Sequence, residues 1–212
     1  EIFRDKLQEH GMAHLADSFL LASGKLQVLC YKADIEAALR TRRFGGFQLL
    51  DLHDFPGQGT ALVGVLNPFW EDKGYVTAKE YSRFCNSTVP LVRLPKMIYN
   101  NNEILKAPVE IAHFGEAPLR DIIPVWTIKN VAGAVLFQGE LTRTDIPVGN
   151  GFKLGEINQS LATVKQAGRF ILTVAVGSYE NSWDIFIYPE TLPPTDPAIY
   201  VTQQLYAQAQ DI

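Results

Sequence analysis

The first forty residues have apolar side chains at helical spacing. Residues 2–10 and 12–22 predict two short helices separated at Gly11. A Ser23-Gly24 pair predicts the end of the second helix, and residues 25–40 predict a third. This third helix has the clearest pattern of the three, because its apolar residues share one face: Leu26, Leu29, Cys30, Ala33 and Ala37. We therefore expect this face to be buried.

The third predicted helix leads directly into a short apolar run. Residues 47–52 lie between a Gly-Gly pair and a Pro-Gly pair, the pattern of a strand covered on both faces in a parallel sheet. Polar residues cluster at its end, where Asp51, His53 and Asp54 are followed by a Gly-Gln-Gly loop. A helix, a short turn and a buried strand make one step of an alternating α/β architecture, and barrel strands present their sites at this end.

The composition changes after Asn86, where β-branched and aromatic residues become dominant. Turn signals recur about every ten residues, which indicates short strands of an antiparallel sandwich. Trp126 and Trp183 lie within predicted strands, and we expect them in the sandwich core rather than on a ligand-binding surface. Seven strands are predicted, at residues 88–94, 104–113, 122–129, 134–141, 152–160, 169–176 and 183–187.

Two shorter segments complete the predicted organisation. Residues 77–84 predict a short helix, with Thr77 as its N-cap and Glu80 as the partner in a capping box. Residues 192–197 contain three prolines and predict a linker, and the weakly helical segment at 199–212 predicts the start of a further domain. The chain has no initiating Met and no signal sequence, so we expect it to be a piece of a longer protein.

Composition and charge exclude several classes of function. The chain has 212 residues, 47% of them hydrophobic and 20% charged, which is ordinary for a globular protein. Its net charge of −4 is spread without a basic run, which argues against binding nucleic acid. No apolar stretch reaches the roughly 18 residues of a membrane span. Cys30 and Cys85 have no ligand spacing and predict buried free thiols, and the isolated histidines predict no metal and no cofactor.

Two motifs resemble glycoside hydrolase family 2, in particular its larger beta-galactosidase-like members. The sequence Gly-Gly-Phe-Gln-Leu-Leu-Asp-Leu-His-Asp-Phe-Pro-Gly-Gln-Gly-Thr at 45–60 resembles the eighth strand of that family's TIM barrel, and residues 25–42 resemble the preceding helix. The sequence at 181–189 resembles the closing strand of the immunoglobulin-like sandwich that follows the barrel. The resemblance covers most of residues 1–190.

The resemblance implies an α+β chain that contains the end of a TIM-barrel glycosidase domain (1–87), an immunoglobulin-like β-sandwich (88–190) and a linker with the start of another domain (191–212). It also implies carbohydrate as the ligand, the rest of the parent enzyme as a partner, and a periplasmic or extracellular location. In the family, a retaining carboxylate pair lies on barrel strands four and seven, which would precede Glu1. We therefore expect no catalytic residue in this chain. If the strand at 47–52 lacks its barrel neighbours, it could pair with a second copy of the chain in a homodimer.

The candidate sugar-contacting residues are Asp51, His53, Asp54, Gln58 and Trp70. Carboxylates and imidazole can hydrogen-bond hydroxyl groups, and a Trp ring can stack on a sugar. The alternative for the polar cluster is a tight turn in which one member only holds the loop. An acid/base pair of Asp51 and Asp54 is the least favoured interpretation, and core packing is favoured over stacking for Trp70. A non-catalytic carbohydrate-binding or domain-interaction module is the alternative function.

Overall fold

The computed structural model describes residues 2–57 and 62–190 of the chain. The described helices are α1 (Ile2–Glu9), α2 (Ala16–Arg40) and α3 (Ala78–Tyr81), with one 3₁₀ turn at Ala13–Leu15. Ten strands follow them in the chain: β1 (Thr88–Val92), β2 (Ile98–Asn100), β3 (Ile104–His113), β4 (Leu119–Ile122), β5 (Val125–Asn130), β6 (Val135–Glu140), β7 (Thr144–Ile146), β8 (Gly149–Ser160), β9 (Gly168–Val176) and β10 (Tyr179–Tyr188). None of the described helices is long and apolar enough to cross a membrane.

The strands form a β-sandwich. One sheet has the order β1-β3-β8, and the facing sheet has the order β2-β10-β9-β5-β6. Strands β4 and β7 form a separate two-stranded sheet. The pairing is antiparallel except between β10 and β2, where Phe186 lies beside Ile98 in a parallel register. The prediction of a fully antiparallel sandwich is therefore wrong at this edge, because the short β2 joins it without a hairpin connection to β10.

Side chains from both sheets meet in one continuous core. Along β9, Phe170, Leu172, Val174 and Val176 are buried, while the residues between them are partly exposed. Trp126 and Trp183 are 7% and 6% exposed, so their predicted place in the core is confirmed. Gly139 lies directly opposite Trp126 on β6, and a Cβ atom there would come within 2.8 Å of the indole. The glycine thus makes room for the largest side chain of the core.

All seven predicted strands are present, with their ends shifted by a few residues in most cases. The prediction for β3, residues 104–113, agrees with the structure at both ends. Three strands were not predicted: β2, β4 and β7, each of three or four residues. Each of them buries at most one side chain, so their sequences carry too little alternation to indicate a strand.

Helix α2 runs without interruption from Ala16 to Arg40, so the predicted break at Ser23-Gly24 is wrong. Gly24 is buried, and a Cβ atom at this position would lie 2.3 Å from the ring of Tyr75. The glycine is therefore needed for close packing of Tyr75 and does not end the helix. At α3, by contrast, the predicted capping box between Thr77 and Glu80 is confirmed.

The predicted buried face of α2 points away from the sandwich. Leu26 and Leu29 are 62% and 60% exposed, and Cys30 is exposed as well, so the prediction of a buried Cys30 thiol is wrong. The opposite face is buried instead, where Val28, Ile35 and Leu39 pack in one cluster with residues of β1. Because α2 is apolar on two sides, helical spacing alone could not decide which side contacts the sandwich.

The segment at residues 47–52 is irregular, so the predicted buried strand is wrong. Phe47 is 43% exposed and Leu50 is 79% exposed. Asp51 has a φ of 61°, which lies outside the extended region of a strand. Within the described residues no strand lies beside this segment, and a strand needs a neighbour to satisfy its backbone groups. In place of the predicted helix, turn and buried strand, the structure has a helix followed by an exposed apolar loop.

Candidate functional site

Partly buried His53 and exposed Trp70 form an aromatic pair on two neighbouring loops. Their ring centroids lie 4.6 Å apart with the planes inclined by 44°. Backbone bridges place the loops side by side, because His53 pairs with Leu66 and Leu66 pairs in turn with Asp72. These bridges thus bring together two of the residues selected from the sequence.

A tight turn presents Trp70 to solvent. The side-chain oxygen of Asn67 accepts hydrogen bonds from the backbone N–H groups of Phe69 and Glu71, at 2.9 and 3.0 Å. The Trp70 N–H donates to the Asn67 carbonyl at 3.0 Å, and Trp70 has a φ of 67°. Few bulky residues adopt this conformation. Trp70 is 62% exposed, so the favoured interpretation of Trp70 as a core residue is wrong.

The side chain of Asp54 is buried and holds the loop. One carboxylate oxygen accepts hydrogen bonds from the Gly64 N–H at 2.9 Å and from Lys73 Nζ at 2.6 Å. Lys73 also donates to the Gly64 carbonyl, which closes a compact network. A Cβ atom on Gly64 would lie 2.3 Å from the His53 backbone, so the two loops approach closely here. Asp54 therefore has the loop-holding role that the tight-turn alternative gave to one member of the cluster.

The remaining candidates have different environments. His53 Nδ1 lies 2.7 Å from the Asp54 carbonyl oxygen, which can only accept a hydrogen bond. Nδ1 therefore carries the proton in a neutral ring, and Nε2 is left as an acceptor. Asp51 is partly buried. Gln58 lies outside the described residues. An acid/base pair would require Asp54 to act from a carboxylate already bound by Lys73, which does not suit that role.

A buried charged cluster, which the sequence analysis did not identify, joins α2 to the sandwich. Glu36 is 4% exposed and receives hydrogen bonds from Asn181 Nδ2 at 2.8 Å, Trp183 Nε1 at 3.1 Å and Arg40 at 2.9 Å. Lys32 also bonds Glu36, and it donates to Asn181 Oδ1 at 2.7 Å. The spacing of Lys32, Glu36 and Arg40 was visible in the sequence, but partners more than 140 residues away were not.

Burial and charge act in opposite directions within this cluster. Burial, together with the charges of Arg40 and Arg83, lowers the pKa of Lys32 below its ordinary value, although the Glu36 carboxylate acts to raise it. Burial also raises the pKa of Glu36, but the Lys32 ammonium, together with hydrogen bonds from Lys32, Trp183 and Asn181, lowers it below its ordinary value. The Lys32 ammonium also lies 4.6 Å from the Trp183 ring centroid. Since both carboxylate oxygens of Glu36 have partners, we assign the cluster to packing rather than to chemistry.

His113 is a structural residue. Its ring is buried, with Nδ1 at 2.7 Å from the Thr88 hydroxyl and Nε2 at 2.8 Å from the Ala117 carbonyl oxygen. The carbonyl oxygen can only accept, so Nε2 donates to it. In residues 2–57 and 62–190, no three His, Cys, Asp or Glu side chains are grouped as ligands of a metal ion.

A family model described as a domain of unknown function, DUF8488, matches residues 103–189. The matched region begins at the start of β3 and ends just after β10, so it covers most of the sandwich and less than half of the chain. It contains neither the aromatic pair nor α2. The comparison with curated proteins gives no match.

Several solved structures are weakly similar to this chain. Alkylpurine DNA glycosylase AlkC of Pseudomonas fluorescens is 15% identical over 48% of this chain and 30% of its own, with a TM-score of 0.38. The CARDB domain of a Pyrococcus furiosus protein is 12% identical over 49% of this chain and 94% of its own, with a TM-score of 0.37. Parabacteroides merdae beta-glucuronidase is 12% identical over 48% of this chain and 13% of its own, with a TM-score of 0.30. Similarities this weak assign no function.

Proposed function

We propose that this chain is part of a glycoside hydrolase of the family 2 type and contributes a sugar-contacting loop and an immunoglobulin-like sandwich. In this proposal the chain does not contain the catalytic carboxylates, which lie in another part of the parent enzyme. The retaining chemistry would then be performed elsewhere, and the loop of His53 and Trp70 would bind the carbohydrate.

The observation that carries the proposal is the contact between the exposed Trp70 ring and the partly buried His53 ring. An aromatic ring that faces solvent can stack on the apolar face of a sugar ring, and neighbouring polar groups can bind its hydroxyls. Trp70 provides the ring, His53 Nε2 can accept a hydrogen bond, and Asp51 is close in sequence. The Asn67 turn and the Asp54–Lys73 network fix both loops, so the pair is held in place before a ligand arrives.

The proposal also accounts for the exposed apolar surface of the amino-terminal segment. The outer face of α2 and the loop at residues 47–52 would be covered by the remaining barrel in a longer enzyme. The same surface favours a second candidate function, a non-catalytic module whose role is to contact another domain. The aromatic pair distinguishes the two, because domain contact alone would not require Trp70 to be exposed in a strained turn.

Titration with neutral oligosaccharides tests the proposal. Binding to Trp70 should change tryptophan fluorescence and shift its indole NMR signal, while the signals of buried Trp126 and Trp183 stay unchanged. We expect Trp70→Ala to weaken binding at least tenfold, since stacked aromatic contacts are lost. Phe3→Ala, which removes an exposed aromatic ring from α1, is the matched control and should bind normally. Equal binding by Trp70→Ala, or no binding of any oligosaccharide, would contradict the proposal.

A further inference from the structure

Asn150 and Gly151 lie in a bulge of β8 beside the end of α2. The register of β8 against β3 shifts at Ala112, where two residues of β8 lie opposite one residue of β3. Gly151 has a φ of 73°, in the left-handed region that glycine adopts without steric cost. In the whole sequence, Asn150 is the only asparagine that is followed by glycine. The peptide nitrogen after Asn150 is therefore the least hindered one that follows an asparagine in this chain.

The side chain of Asn150 attaches the end of α2 to the sandwich. Its amide group donates to the carbonyl oxygens of Leu39 and Thr41, at 2.8 and 2.9 Å. The Leu39 carbonyl is one of the last four of the helix, which have no partner within the helix itself. Arg42 adds a hydrogen bond to the Gly151 carbonyl at 2.8 Å. Since a side-chain amide has two N–H groups, the donor capacity of Asn150 is fully used in this attachment.

Solvent can reach the Asn150 amide. Asn150 lines a cleft of about 290 Å³ between the end of α2 and the sandwich, together with Leu39, Phe44 and Phe114. The residue is partly exposed, whereas Asn181, the asparagine of the Glu36 cluster, is buried. Water is therefore available for a hydrolytic reaction at Asn150.

We propose that Asn150 is a site of spontaneous deamidation, and that its conversion releases the end of α2 from the sandwich. The peptide nitrogen of Gly151 loses its proton to a base in the solvent and bonds to Asn150 Cγ, and the Cγ–Nδ2 bond breaks as ammonia leaves. Water then opens the five-membered imide at either carbonyl and gives aspartate or isoaspartate. The net reaction consumes one water and releases one ammonia. This site does not depend on the proposed sugar contact.

Neither product can keep the attachment. Each has a carboxylate in place of the amide, and a carboxylate has no N–H group to donate to the carbonyl oxygens of Leu39 and Thr41. The reaction also places a negative charge at the carboxyl end of α2, where the helix dipole is negative as well. Isoaspartate in addition lengthens the main chain of β8 by one carbon. Two hydrogen bonds are thus replaced by repulsion between oxygen atoms.

The folded state should slow the reaction. Ring closure requires the Asn150 side chain to turn towards the nitrogen of Gly151, so both hydrogen bonds to α2 must break first. We expect the folded chain to deamidate at Asn150 at least about tenfold more slowly than the chain unfolded in urea, since these two bonds oppose the rotation. Opening of the contact between α2 and β8 would then determine the rate in the folded chain.

Incubation of the 212-residue chain in mildly alkaline buffer, with and without urea, tests the reaction. Peptide mass spectrometry should find a gain of one mass unit at Asn150, and chromatography of the peptides should separate the aspartate and isoaspartate products. Asn158 is the matched control, because it is an exposed asparagine of the same strand and is followed by Gln. We expect Asn158 to stay intact over the same period.

Two variants isolate the consequence for α2. Asn150→Asp reproduces one product and should speed amide exchange of residues 37–41 at least about tenfold, because two hydrogen bonds are lost. Asn158→Asp makes the same charge change at an exposed position of β8 and should leave this exchange unchanged. Unchanged exchange in β9 shows that each variant is folded. If Asn150→Asp does not fold, the deamidated fraction of the incubated chain, isolated by ion exchange, provides the same measurement.

Three results would overturn the proposal. The first is a folded chain in which Asn150 converts no faster than Asn158. The second is an equal rate of conversion at Asn150 in the folded and the urea-unfolded chain, because the hydrogen bonds to α2 would then not restrain the amide. The third is unchanged amide exchange of residues 37–41 after conversion of Asn150, because α2 would then stay attached without it.

Discussion

The indole Nε1 of Trp183 donates a hydrogen bond to Glu36 Oε2 across 3.1 Å, and this contact joins the sandwich core to helix α2. Asn181 of the same strand binds the other carboxylate oxygen and also the Pro90 carbonyl of β1. The Glu36 carboxylate therefore joins the helix to β10, and Asn181 extends this connection to β1 in the other sheet. Since Lys32 and Arg40 add two cations around it, the attachment of α2 depends strongly on Glu36 being charged.

Replacing Glu36 by Gln should destabilise the chain by about 3 kcal/mol, the scale for removing one partner of a buried ion pair. The change leaves Lys32 and Arg40 close together without an anion. Urea denaturation monitored by tryptophan fluorescence measures the effect. Glu9→Gln breaks the exposed pair with Lys6 and should leave the midpoint unchanged. Equal midpoints for Glu36→Gln and the unmodified chain would contradict this role.

The contribution of Glu36 to stability should depend on pH. Its folded pKa lies below the ordinary value of 4.5, because the favourable effects of Lys32 and the hydrogen bonds exceed the raising effect of burial. Glu36 in the unfolded chain therefore binds a proton at a higher pH than Glu36 in the folded chain. Its stabilising contribution is present above the ordinary pKa and is lost as the pH falls through the pKa of the folded state.

Denaturation between pH 6 and pH 3 checks this linkage. We expect the difference in unfolding free energy between the unmodified chain and Glu36→Gln to be constant near pH 6 and to decrease as the pH falls through about 4.3, where unfolded Glu is half protonated. If the difference in unfolding free energy stays constant down to pH 3, the effect of Glu36→Gln comes from the shape of the side chain and not from its charge.

Replacing Gly24 by Ala should destabilise the chain by about 1 to 3 kcal/mol, the usual cost of overpacking. The new Cβ atom would lie 2.3 Å from the Tyr75 ring. In an open helical position, the same change would stabilise by up to about 1 kcal/mol. Thermal unfolding of Gly24→Ala, with the neighbouring Ser23→Ala as control, measures the sign. A gain in stability would show that Tyr75 can move aside at no cost.

The purified chain should hydrolyse no glycoside. Asp54, one of the two carboxylates in the candidate loop, is bound by Lys73 and the Gly64 N–H, so it is not placed to act with Asp51. Assays with aryl glycosides of several sugars provide the measurement. Turnover that is lost in Asp51→Asn or Asp54→Asn would move the catalysis into this loop and contradict the expectation.

The sequence predicted the sandwich well, since its strands carry their own signals. The pattern at residues 104–113 identified β3 at both ends, and the residue types at Thr77 and Glu80 identified the cap of α3. Its failures occurred where two local interpretations were equally acceptable. The Ser23-Gly24 pair could end a helix, or Gly24 could leave space for a neighbouring ring beside a continuous helix. Only the position of Tyr75 in the structure shows that the second interpretation is correct.

The candidate site was predicted in part. His53 and Trp70 were selected separately from the sequence, but their contact depends on backbone bridges through Leu66. The exposure of Trp70 depends on the Asn67 turn, and the hydrogen bonds of this turn could not be predicted from the residue types alone. The loop-holding role of Asp54 likewise depends on Lys73, which lies 19 residues away.

The sequence by itself determined seven of the ten described strands, the two core tryptophans and the capping box, because each depends on residues a few positions apart. Tertiary structure decided which apolar face of α2 is buried, since Leu26 and Val28 lie on different faces of the helix and both faces are apolar. It also decided that residues 47–52 are not a strand, because pairing needs a neighbouring strand that the sequence pattern cannot supply. The hydrogen bond from Asn181 to Glu36 also exists only in the folded state, because the two residues are 145 positions apart in the chain.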